Sequence, residues 1–263
     1  MSSSKPDDSL ASPRILCLHG GGVTGEAFKL QSRALIAKLQ PTFRLVFADG
    51  PFFCDAGPGI LPVYADFAPF RRWLRWLPEH KEVDAETAVE EIHYQLKQAM
   101  EEDDRIGGTG NWVGLMGFSQ GAKVSAALLY DQQLQAAAGT STGLPQWKFA
   151  ILLAGRAPLV SLSSASAGCK ALVDAAEISE GFATVDPEVW NGYEKLKLPT
   201  VHVHGLKDPG LHLHRRLLEQ YCEPGSTTVV EWEGEHRVPI KTKDVEKVVA
   251  AIFDVAKRTG SIS

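Results

Sequence analysis

The sequence predicts an α/β fold in which helices cover both faces of a mostly parallel central sheet. Short apolar segments alternate with amphipathic segments along the chain, a pattern typical of parallel strands joined by helices. Gly, Asp or a loop closes each apolar segment, as expected of strands that are buried on both faces. Right-handed connections would then join the parallel strands.

Six apolar segments are predicted as strands, at residues 14–20, 43–50, 111–117, 149–155, 200–205 and 227–232. Five helices are predicted between and after these strands, at residues 26–40, 84–102, 120–137, 211–222 and 242–258. The last helix shows the helical spacing most clearly, because one face carries Val245, Val248, Val249, Ile252 and Phe253.

Two segments interrupt this alternation. Residues 51–80 are rich in Pro, Gly and aromatic side chains, and residues 157–199 carry runs of Ser and Ala. Each follows the carboxyl end of a strand, where open α/β sheets bind their ligands, so we expect both to be cap or pocket insertions. No internal repeat or linker divides the chain. One domain over residues 1–263 is therefore predicted, with residues 1–12 flexible.

Composition excludes several classes of function. The 27 basic and 32 acidic residues give a formal charge of −5, and no Lys/Arg block is present to follow a nucleic-acid backbone. No stretch approaches the roughly 18 apolar residues that span a bilayer. The four cysteines are far apart and form no C-x-x-C pair, which indicates reduced thiols. We expect a soluble cytoplasmic protein.

The segment GLMGFSQG places Ser119 in a G-x-S-x-G pattern between a predicted strand and a predicted helix. In a nucleophile elbow the serine lies at a sharp strand-to-helix turn, and the flanking glycines let the chain approach itself closely. The strand before Ser119 and the helix after it favour this interpretation over a simple helix N-cap. Ser119 is therefore the predicted nucleophile.

A serine hydroxyl needs a base, and the chain offers partners in the order Ser, acid, His that hydrolases use. TVHVHGLKD places Asp208 just beyond one strand, and TTVVEWEGEHRVP places His236 just beyond the next. Asp208 would orient the imidazole and stabilise its charged form, while His236 would transfer the proton. Taken singly, Asp208 could be a turn residue and His236 a surface histidine.

The oxyanion of the reaction needs hydrogen-bond donors. LHGGGVTG follows the first strand, and such a loop commonly supplies one backbone N–H while the residue after the nucleophile supplies another. We expect these to be Gly21 and Gln120, with His19 bracing the loop. No G-K-S/T follows the glycines, so a phosphate-binding loop is excluded.

Histidines elsewhere raise the possibility of a metal site. His202, His204, His212 and His214 form two H-x-H pairs. The first pair is expected within a buried strand, and the second on different sides of a helix, so no metal is predicted. The chemistry of the predicted site requires no cofactor.

Aromatic residues in the first insertion suggest an apolar acyl pocket, and packing beneath a long loop is the alternative. The loops around Leu159 and Phe182 would contribute to the same pocket. Arg71 and Arg72 would meet a carrier phosphopantetheine or face water. The aromatic candidates are Phe52, Phe53, Tyr64, Phe67, Phe70, Trp73 and Trp76.

Several of these motifs together resemble one family. ILCLHGGG, FADGPF with the later GPG, GFSQGA, HVHGLKD and GEHRVP are similar to the fungal family of serine hydrolases. Its members are α/β-hydrolases related to the polyketide-releasing thioesterase of the lovastatin pathway and, more distantly, to carboxylesterases. The resemblance runs from about Arg14 to Phe253 and implies the α/β-hydrolase fold, with Ser119, Asp208 and His236 as nucleophile, acid and base.

The resemblance also implies a substrate, because fungal members often release an acyl chain from a carrier-protein thioester beside a polyketide synthase. We therefore expect a serine acyl hydrolase, a thioesterase, acting through an acyl-enzyme on an acyl or polyketide thioester. Three alternatives stay open: a general carboxylesterase, an acyltransferase or lactone-forming enzyme with the same triad, and a ligand receptor on a hydrolase scaffold. A complete triad argues against the receptor. The sequence leaves the oligomeric state open.

Overall fold

The computed structural model describes residues 9–141, 143–178 and 194–263. Its central sheet has six strands in the order β2-β1-β5-β6-β7-β8, and every neighbouring pair is parallel. These strands are β1 (Arg14–Leu18), β2 (Arg44–Ala48), β5 (Trp112–Phe118), β6 (Phe149–Leu153), β7 (Thr200–Gly205) and β8 (Thr227–Trp232). All six predicted strands are present, and the predicted α/β class is confirmed.

Helices follow the predicted positions with two differences. The predicted helix at 26–40 is interrupted at Ser32, whose φ of −89° and ψ of 4° leave the helical region. The predicted helix at 211–222 is α-helical only to Arg216 and continues as a π-helical turn over Leu217–Tyr221. The helices are α1 (Gly25–Gln31), α2 (Arg33–Leu39), α3 (Ala85–Arg105), α4 (Gln120–Ala138), α5 (Leu211–Arg216) and α6 (Thr242–Arg258).

Two apolar layers enclose the sheet. Alternate strand residues face opposite layers, because side chains of a strand point to its two faces in turn. In β1, Leu16 and Leu18 pack with α3 and α4, while Ile15 and Cys17 pack with α1, α2 and α6. Parallel strands buried on both faces explain why the strand sequences are continuous apolar runs.

The first insertion forms a small antiparallel hairpin of β3 (Phe52–Cys54) and β4 (Phe70–Arg72). A 3-10 turn at Ala65–Phe67 lies between its strands. After β4 the chain runs back across the carboxyl edge of the sheet, where residues 73–76 meet the loop that follows β1. This insertion therefore supplies one wall above the sheet.

The described part of the second insertion packs on α4. The carboxylate of Asp131 accepts hydrogen bonds from the N–H of Leu162 at 2.9 Å and from Ser163 Oγ at 3.0 Å. Burial raises the pKa of Asp131 to about 6, against the opposing effect of these hydrogen bonds. Residues 179–193 of this insertion, including Phe182, lie outside the described residues.

Near the N-terminus, the carbonyl of Leu10 accepts hydrogen bonds from the N–H groups of Thr109 and Gly110, at 2.7 and 3.2 Å. This contact ties residues 9–12 to the loop before β5. Within the described chain, no helix combines the length and apolar character needed to cross a membrane.

Candidate active site

Ser119 lies between β5 and α4 in a strained turn. Its φ of 52° and ψ of −110° fall in a region that residues other than glycine seldom adopt. Two backbone hydrogen bonds hold the turn: Ser119 N–H donates to the carbonyl of Leu153 at 2.8 Å, and Lys123 N–H donates to the carbonyl of Ser119 at 3.1 Å. The strain is thus maintained by the neighbouring strand and by the first turn of α4.

The glycines two residues before and after Ser119 are required by space. A Cβ at Gly117 would collide with the backbone of Gly121, and a Cβ at Gly121 would collide with the carbonyl oxygens of Leu18 and His19. The helix α4 can approach β1 this closely only without those side chains. The G-x-S-x-G spacing is therefore a consequence of how tightly the turn packs.

Ser119, His236 and Asp208 lie together at the carboxyl edge of the sheet, following β5, β8 and β7. Ser119 Oγ is 2.9 Å from His236 Nε2, and His236 Nδ1 is 2.5 Å from Asp208 Oδ2. With Nδ1 donating to the carboxylate, Nε2 is the nitrogen that can accept the serine proton. The structure brings together all three residues that the sequence predicted for the triad.

Asp208 is held in the charged form. Its carboxylate is buried, which by itself raises the pKa, but the hydrogen bond and charge of His236 and the N–H of Gly210 outweigh burial and lower the pKa to about 2. Gly210 N–H donates to Asp208 Oδ1 at 2.7 Å. Arg156 Nη2 lies 3.8 Å from the same oxygen. A fixed negative charge therefore stands behind His236.

Both predicted oxyanion donors border the cavity above Ser119. Gln120 is the first residue of α4, so its N–H has no partner within the helix. Gly21 lies in the loop after β1, beneath the ring of Trp76, and a Cβ at Gly21 would press into that ring. A larger residue at Gly21 would therefore require the Trp76 ring to move.

His19 makes two hydrogen bonds at the loop that follows β1. Its Nδ1 donates to the carbonyl of Gly20 at 2.6 Å and its Nε2 accepts from Gly50 N–H at 2.8 Å. Complete burial lowers the pKa of His19 to about 4, so the ring is neutral at pH 7 and can donate and accept at once. The backbone carbonyl of His19 in turn accepts a 3.0 Å hydrogen bond from Trp73 Nε1.

The side chain of Gln120 makes a contact that sequence patterns did not predict. Its Oε1 accepts from the N–H groups of Trp73 and Leu74, at 2.7 and 3.1 Å, and its Nε2 donates to the carbonyl of Leu74 at 3.0 Å. These bonds tie the residue after Ser119 to the chain segment 73–76. The partners are more than 40 residues apart, and no local pattern signals the pairing.

An open cavity of about 1570 Å³ lies over the triad. Of the predicted aromatic residues, Tyr64 and Trp76 line it, together with Phe118, whose ring is tilted against that of His236 with centroids 5.0 Å apart. Apolar residues of the first insertion continue this wall at Ile60 and Leu74.

Trp73 and Phe67 do not line the cavity, contrary to prediction. Trp73 is fully buried, and its indole N–H donates to the backbone carbonyl of His19, so its ring belongs to the core. Phe67 packs on Tyr64, with ring centroids 6.1 Å apart. Because the chain turns between residues 73 and 76, the later tryptophan reaches the cavity instead.

The remaining aromatic candidates also lie away from the cavity. Phe53 is 61% exposed beneath the guanidinium of Arg71, and Phe52 lies beneath that of Arg72. Phe70 is buried in a small cluster under the hairpin. Both arginines make these cation–π contacts on the hairpin, and neither lines the cavity.

Basic side chains line another part of the cavity, here called the basic wall. Side chains from the loop after β6 and from α5 line it, although the chain as a whole carries a net charge of −5. Its cationic members are Arg156, Arg215 and Arg216, with Glu219 as the acidic neighbour. Glu235, beside the triad histidine, pairs with Arg237 at 4.0 Å on another part of the rim.

Buried histidines extend from the triad into the sheet. His202 and His204 lie in β7 and His214 lies in α5, all buried, while His212 is exposed on the opposite side of α5. Burial is the main cause that lowers the pKa of His202, His204 and His214, to about 3, 4 and 3. These rings are neutral at pH 7.

Asp208, His214 and His236 form the group of side chains among the described residues whose ligand atoms, all within 4.8 Å of one another, are spaced for a metal ion. Two of these atoms already share the 2.5 Å hydrogen bond of the triad. A metal bound there would have to break that bond.

A family model described as Serine hydrolase (FSH1) matches residues 9–248. Esterase pigG of Monascus ruber is 51% identical over 265 residues, covering 98% of this chain and 96% of that protein. Esterase claE of Penicillium crustosum is 50% identical over 250 residues, covering 94% of each chain. Esterase citA of Monascus ruber is 47% identical over 258 residues, covering 97% of this chain and 96% of that protein.

Solved structures share the fold at low identity. Acyl-protein thioesterase 2 of Zea mays superposes with a TM-score of 0.53 and 16% identity, covering 95% of this chain and 96% of that chain. A single-residue variant of Arabidopsis thaliana SOBER1 superposes with a TM-score of 0.51 and 17% identity, covering 93% of this chain and 99% of that chain. At these identities the likeness concerns the fold, which is that of the α/β-hydrolases.

Proposed function

We propose that the substrate of this chain, which belongs to the FSH1 family of serine hydrolases, is an acyl or polyketide thioester carried by a protein. The chain hydrolyses esters. The observation that carries the catalytic part is the unbroken hydrogen-bonded series from Ser119 through His236 to Asp208. The carrier part rests on the shape and charge of the cavity.

In the acylation step Ser119 Oγ attacks the thioester carbonyl while His236 Nε2 takes the hydroxyl proton. The carbonyl oxygen becomes an oxyanion, which the N–H groups of Gly21 and Gln120 stabilise. Asp208 stabilises the imidazolium that forms. When the tetrahedral intermediate collapses, the carbon–sulfur bond breaks, His236 returns the proton to sulfur, and the acyl group stays on Ser119.

In the deacylation step water enters the site left by the thiol. His236 Nε2 removes a proton from this water as its oxygen attacks the acyl carbonyl, and the same donors hold the second oxyanion. Collapse releases the carboxylic acid and returns the proton to Ser119 Oγ. The chemistry uses protein groups and water.

The two walls of the cavity support a substrate that is apolar at one end and anionic at the other. Ile60, Tyr64 and Trp76 offer apolar surface for an acyl chain. Arg215, which also pairs with Glu231 at 3.3 Å, and Arg216 line the basic wall, where guanidinium groups suit a phosphate. A phosphopantetheine arm carries such a phosphodiester beyond its thioester sulfur, so the basic wall favours a carrier-borne substrate over a simple ester.

The four free cysteines agree with a reducing compartment. We therefore place the reaction in the cytoplasm.

The test compares one octanoyl group in four forms: ethyl ester, N-acetylcysteamine thioester, coenzyme A thioester and carrier-protein thioester. We expect both thioesters with a phosphate-bearing arm to exceed the N-acetylcysteamine thioester in kcat/KM by about 10-fold at low salt, because opposite charge speeds association. The ethyl ester should be slowest.

Charge variants check the basic wall. Arg215→Gln combined with Arg216→Gln should remove the preference for the phosphate-bearing substrates, while Lys247→Gln on the exposed face of α6 should keep it. If the ethyl ester is the fastest substrate, the protein is a carboxylesterase. If an added alcohol receives the acyl group in place of water, the enzyme is an acyltransferase.

A further inference from the structure

We propose that His214 is a positioning residue for the triad, donating a hydrogen bond from Nε2 to Asp208 so that the carboxylate stays turned toward His236. The proposal rests on the catalytic roles of Asp208 and His236 proposed above. It concerns no contact with substrate, since His214 is fully buried behind the triad.

The geometry places two imidazoles on one carboxylate oxygen. Asp208 Oδ2 is 2.5 Å from His236 Nδ1 and 3.5 Å from His214 Nε2. The rings of His214 and His236 have centroids 6.2 Å apart. Oδ1 of the same carboxylate accepts from Gly210 N–H. His214 thus lies beside the one oxygen whose direction decides the His236 hydrogen bond.

Neither ring nitrogen of His214 has a hydrogen-bond partner within the described part of the chain. Burying a polar group without a partner costs free energy, and an apolar side chain of similar size would avoid this cost. Packing alone therefore does not explain an imidazole at this position. The adjacent carboxylate oxygen gives it an acceptor, which a modest rotation of the ring would bring into hydrogen-bond range.

The neutral state of His214 suits this role. Burial is the largest cause that lowers its pKa to about 3, so at pH 7 the ring carries one N–H and no charge. A charged neighbour would compete with the imidazolium of His236 for the carboxylate. A neutral donor fixes the direction of the carboxylate and leaves its negative charge available to His236.

His204 provides a matched control. It is buried, neutral at pH 7, and both its ring nitrogens also lack partners within the described residues. Its ring lies against His214, with centroids 5.5 Å apart, on the side of β7. A change at His204 therefore tests the effect of altering a buried imidazole in the same cluster without removing the group next to Asp208.

The first experiment measures kcat, KM and urea unfolding for His214→Leu, His214→Gln, His204→Leu and His204→Gln. We expect His214→Leu to lose on the order of 10-fold in kcat at unchanged KM, because a small misplacement of a catalytic group is costly. Its resistance to urea should not fall. His214→Gln, whose amide can offer an N–H near the position of Nε2, should recover most of the loss, and both His204 variants should keep the wild-type kcat.

Full kcat in His214→Leu would overturn the proposal, and so would a His214→Gln variant as slow as His214→Leu. Equal losses from the His204 and His214 variants would also overturn it, since they would indicate a packing effect of the whole cluster. Failure of the triad itself is recognised separately, because Asp208→Asn would then retain its activity.

A second measurement needs no variant. Nitrogen-15 NMR of histidine side chains in the wild-type protein reports which ring nitrogen carries the proton. The proposal predicts that Nε2 of His214 is protonated and Nδ1 is not. The opposite tautomer would leave no donor facing Asp208 and would overturn it.

Discussion

The Oε1 atom of Gln120 accepts a hydrogen bond from the backbone N–H of Trp73 at 2.7 Å, joining the residue after Ser119 to the inserted segment above the sheet. The same amide also bonds both the N–H and the carbonyl of Leu74. Trp76, two residues farther on, covers Gly21. One side chain thus links the two proposed oxyanion donors to the wall of the cavity.

We therefore expect Gln120→Ala to lower kcat/KM by on the order of 10-fold, because the backbone donor remains while its support is lost. A fall in the free energy of unfolding of about 1 kcal/mol for each lost hydrogen bond should accompany this change. Gln132, on the same helix but away from the site, is the control. Its Oε1 accepts from the backbone N–H of Trp147 at 2.7 Å, and its Nε2 donates to the carbonyl of Trp147 at 2.9 Å. Gln132→Ala should lose stability without loss of kcat. Equal activity losses in both variants would contradict a specific role of the Gln120 side chain in supporting the backbone donor.

Trp76→Ala should weaken selection for acyl length. Each buried CH₂ contributes up to about 0.8 kcal/mol, so four added carbons would raise kcat/KM by roughly two orders of magnitude in an apolar, preformed cavity. The measurement is kcat/KM across N-acetylcysteamine thioesters of increasing length. A wild-type enzyme without a length trend, or a trend unchanged in Trp76→Ala, would contradict the placement of the acyl chain on this wall.

Trp73→Ala should behave differently from Trp76→Ala. Its side chain is fully buried in the core, so its removal should cost about 3 to 5 kcal/mol of unfolding free energy. Chemical denaturation of the two variants distinguishes their roles. A stable Trp73→Ala protein with a changed preference for acyl length would indicate that Trp73 lines the cavity, which would contradict its assignment to the core.

Ser119→Gly should be inactive and more stable than the wild type. The positive φ of Ser119 stores strain of about 1 kcal/mol or more, which glycine relieves. Ser119→Ala keeps the strain and serves as the inactive control. Denaturant midpoints of the three proteins test this order, and a Ser119→Gly protein no more stable than Ser119→Ala would contradict a strained elbow.

Stability should decrease as the pH falls from 7 toward 4. Burial lowers the pKa values of six histidines below the unfolded value of 6.5, and for four of them the shift is large, so in this range the unfolded chain binds protons that the folded chain does not. Each of these four contributes a slope of up to about 1.4 kcal/mol per pH unit. These are His19 and His204, both at about 4, and His202 and His214, both at about 3.

Asp131 acts in the opposite direction. Burial raises the pKa of Asp131 to about 6. Between pH 6 and 4 the folded chain therefore binds a proton at Asp131 before the unfolded chain does, and this stabilisation offsets the destabilising effect of about one histidine. Glu231 and Asp208 raise the pKa of His204 and Arg215 lowers it, but burial is the largest effect. Urea unfolding between pH 7 and 4 should therefore show a smaller slope in His204→Leu. A slope unchanged by this substitution would contradict a neutral buried His204.

The strands and the candidate site residues could be predicted because they depend on the spacing and order of residues along the chain. Alternating apolar runs indicated the six strands, and chain order with strand ends selected Ser119, Asp208 and His236 as candidates, which the fold brings together because parallel strands bring their carboxyl ends to one edge. Side-chain direction within an irregular segment has no such period. The sequence therefore could not distinguish Trp73 from Trp76, nor reveal the Gln120 clamp or the His214 contact, which depend on tertiary packing.

Trapping of an acyl-enzyme is the decisive test of Ser119 as the nucleophile. The protein is mixed with an octanoyl thioester, quenched in acid during turnover, and digested for mass spectrometry. We expect an octanoyl adduct on the peptide that contains Ser119, formed and consumed at rates consistent with kcat, and absent in Ser119→Ala. Turnover without a serine adduct, or a competent adduct on another residue such as the half-buried Cys54, would contradict it.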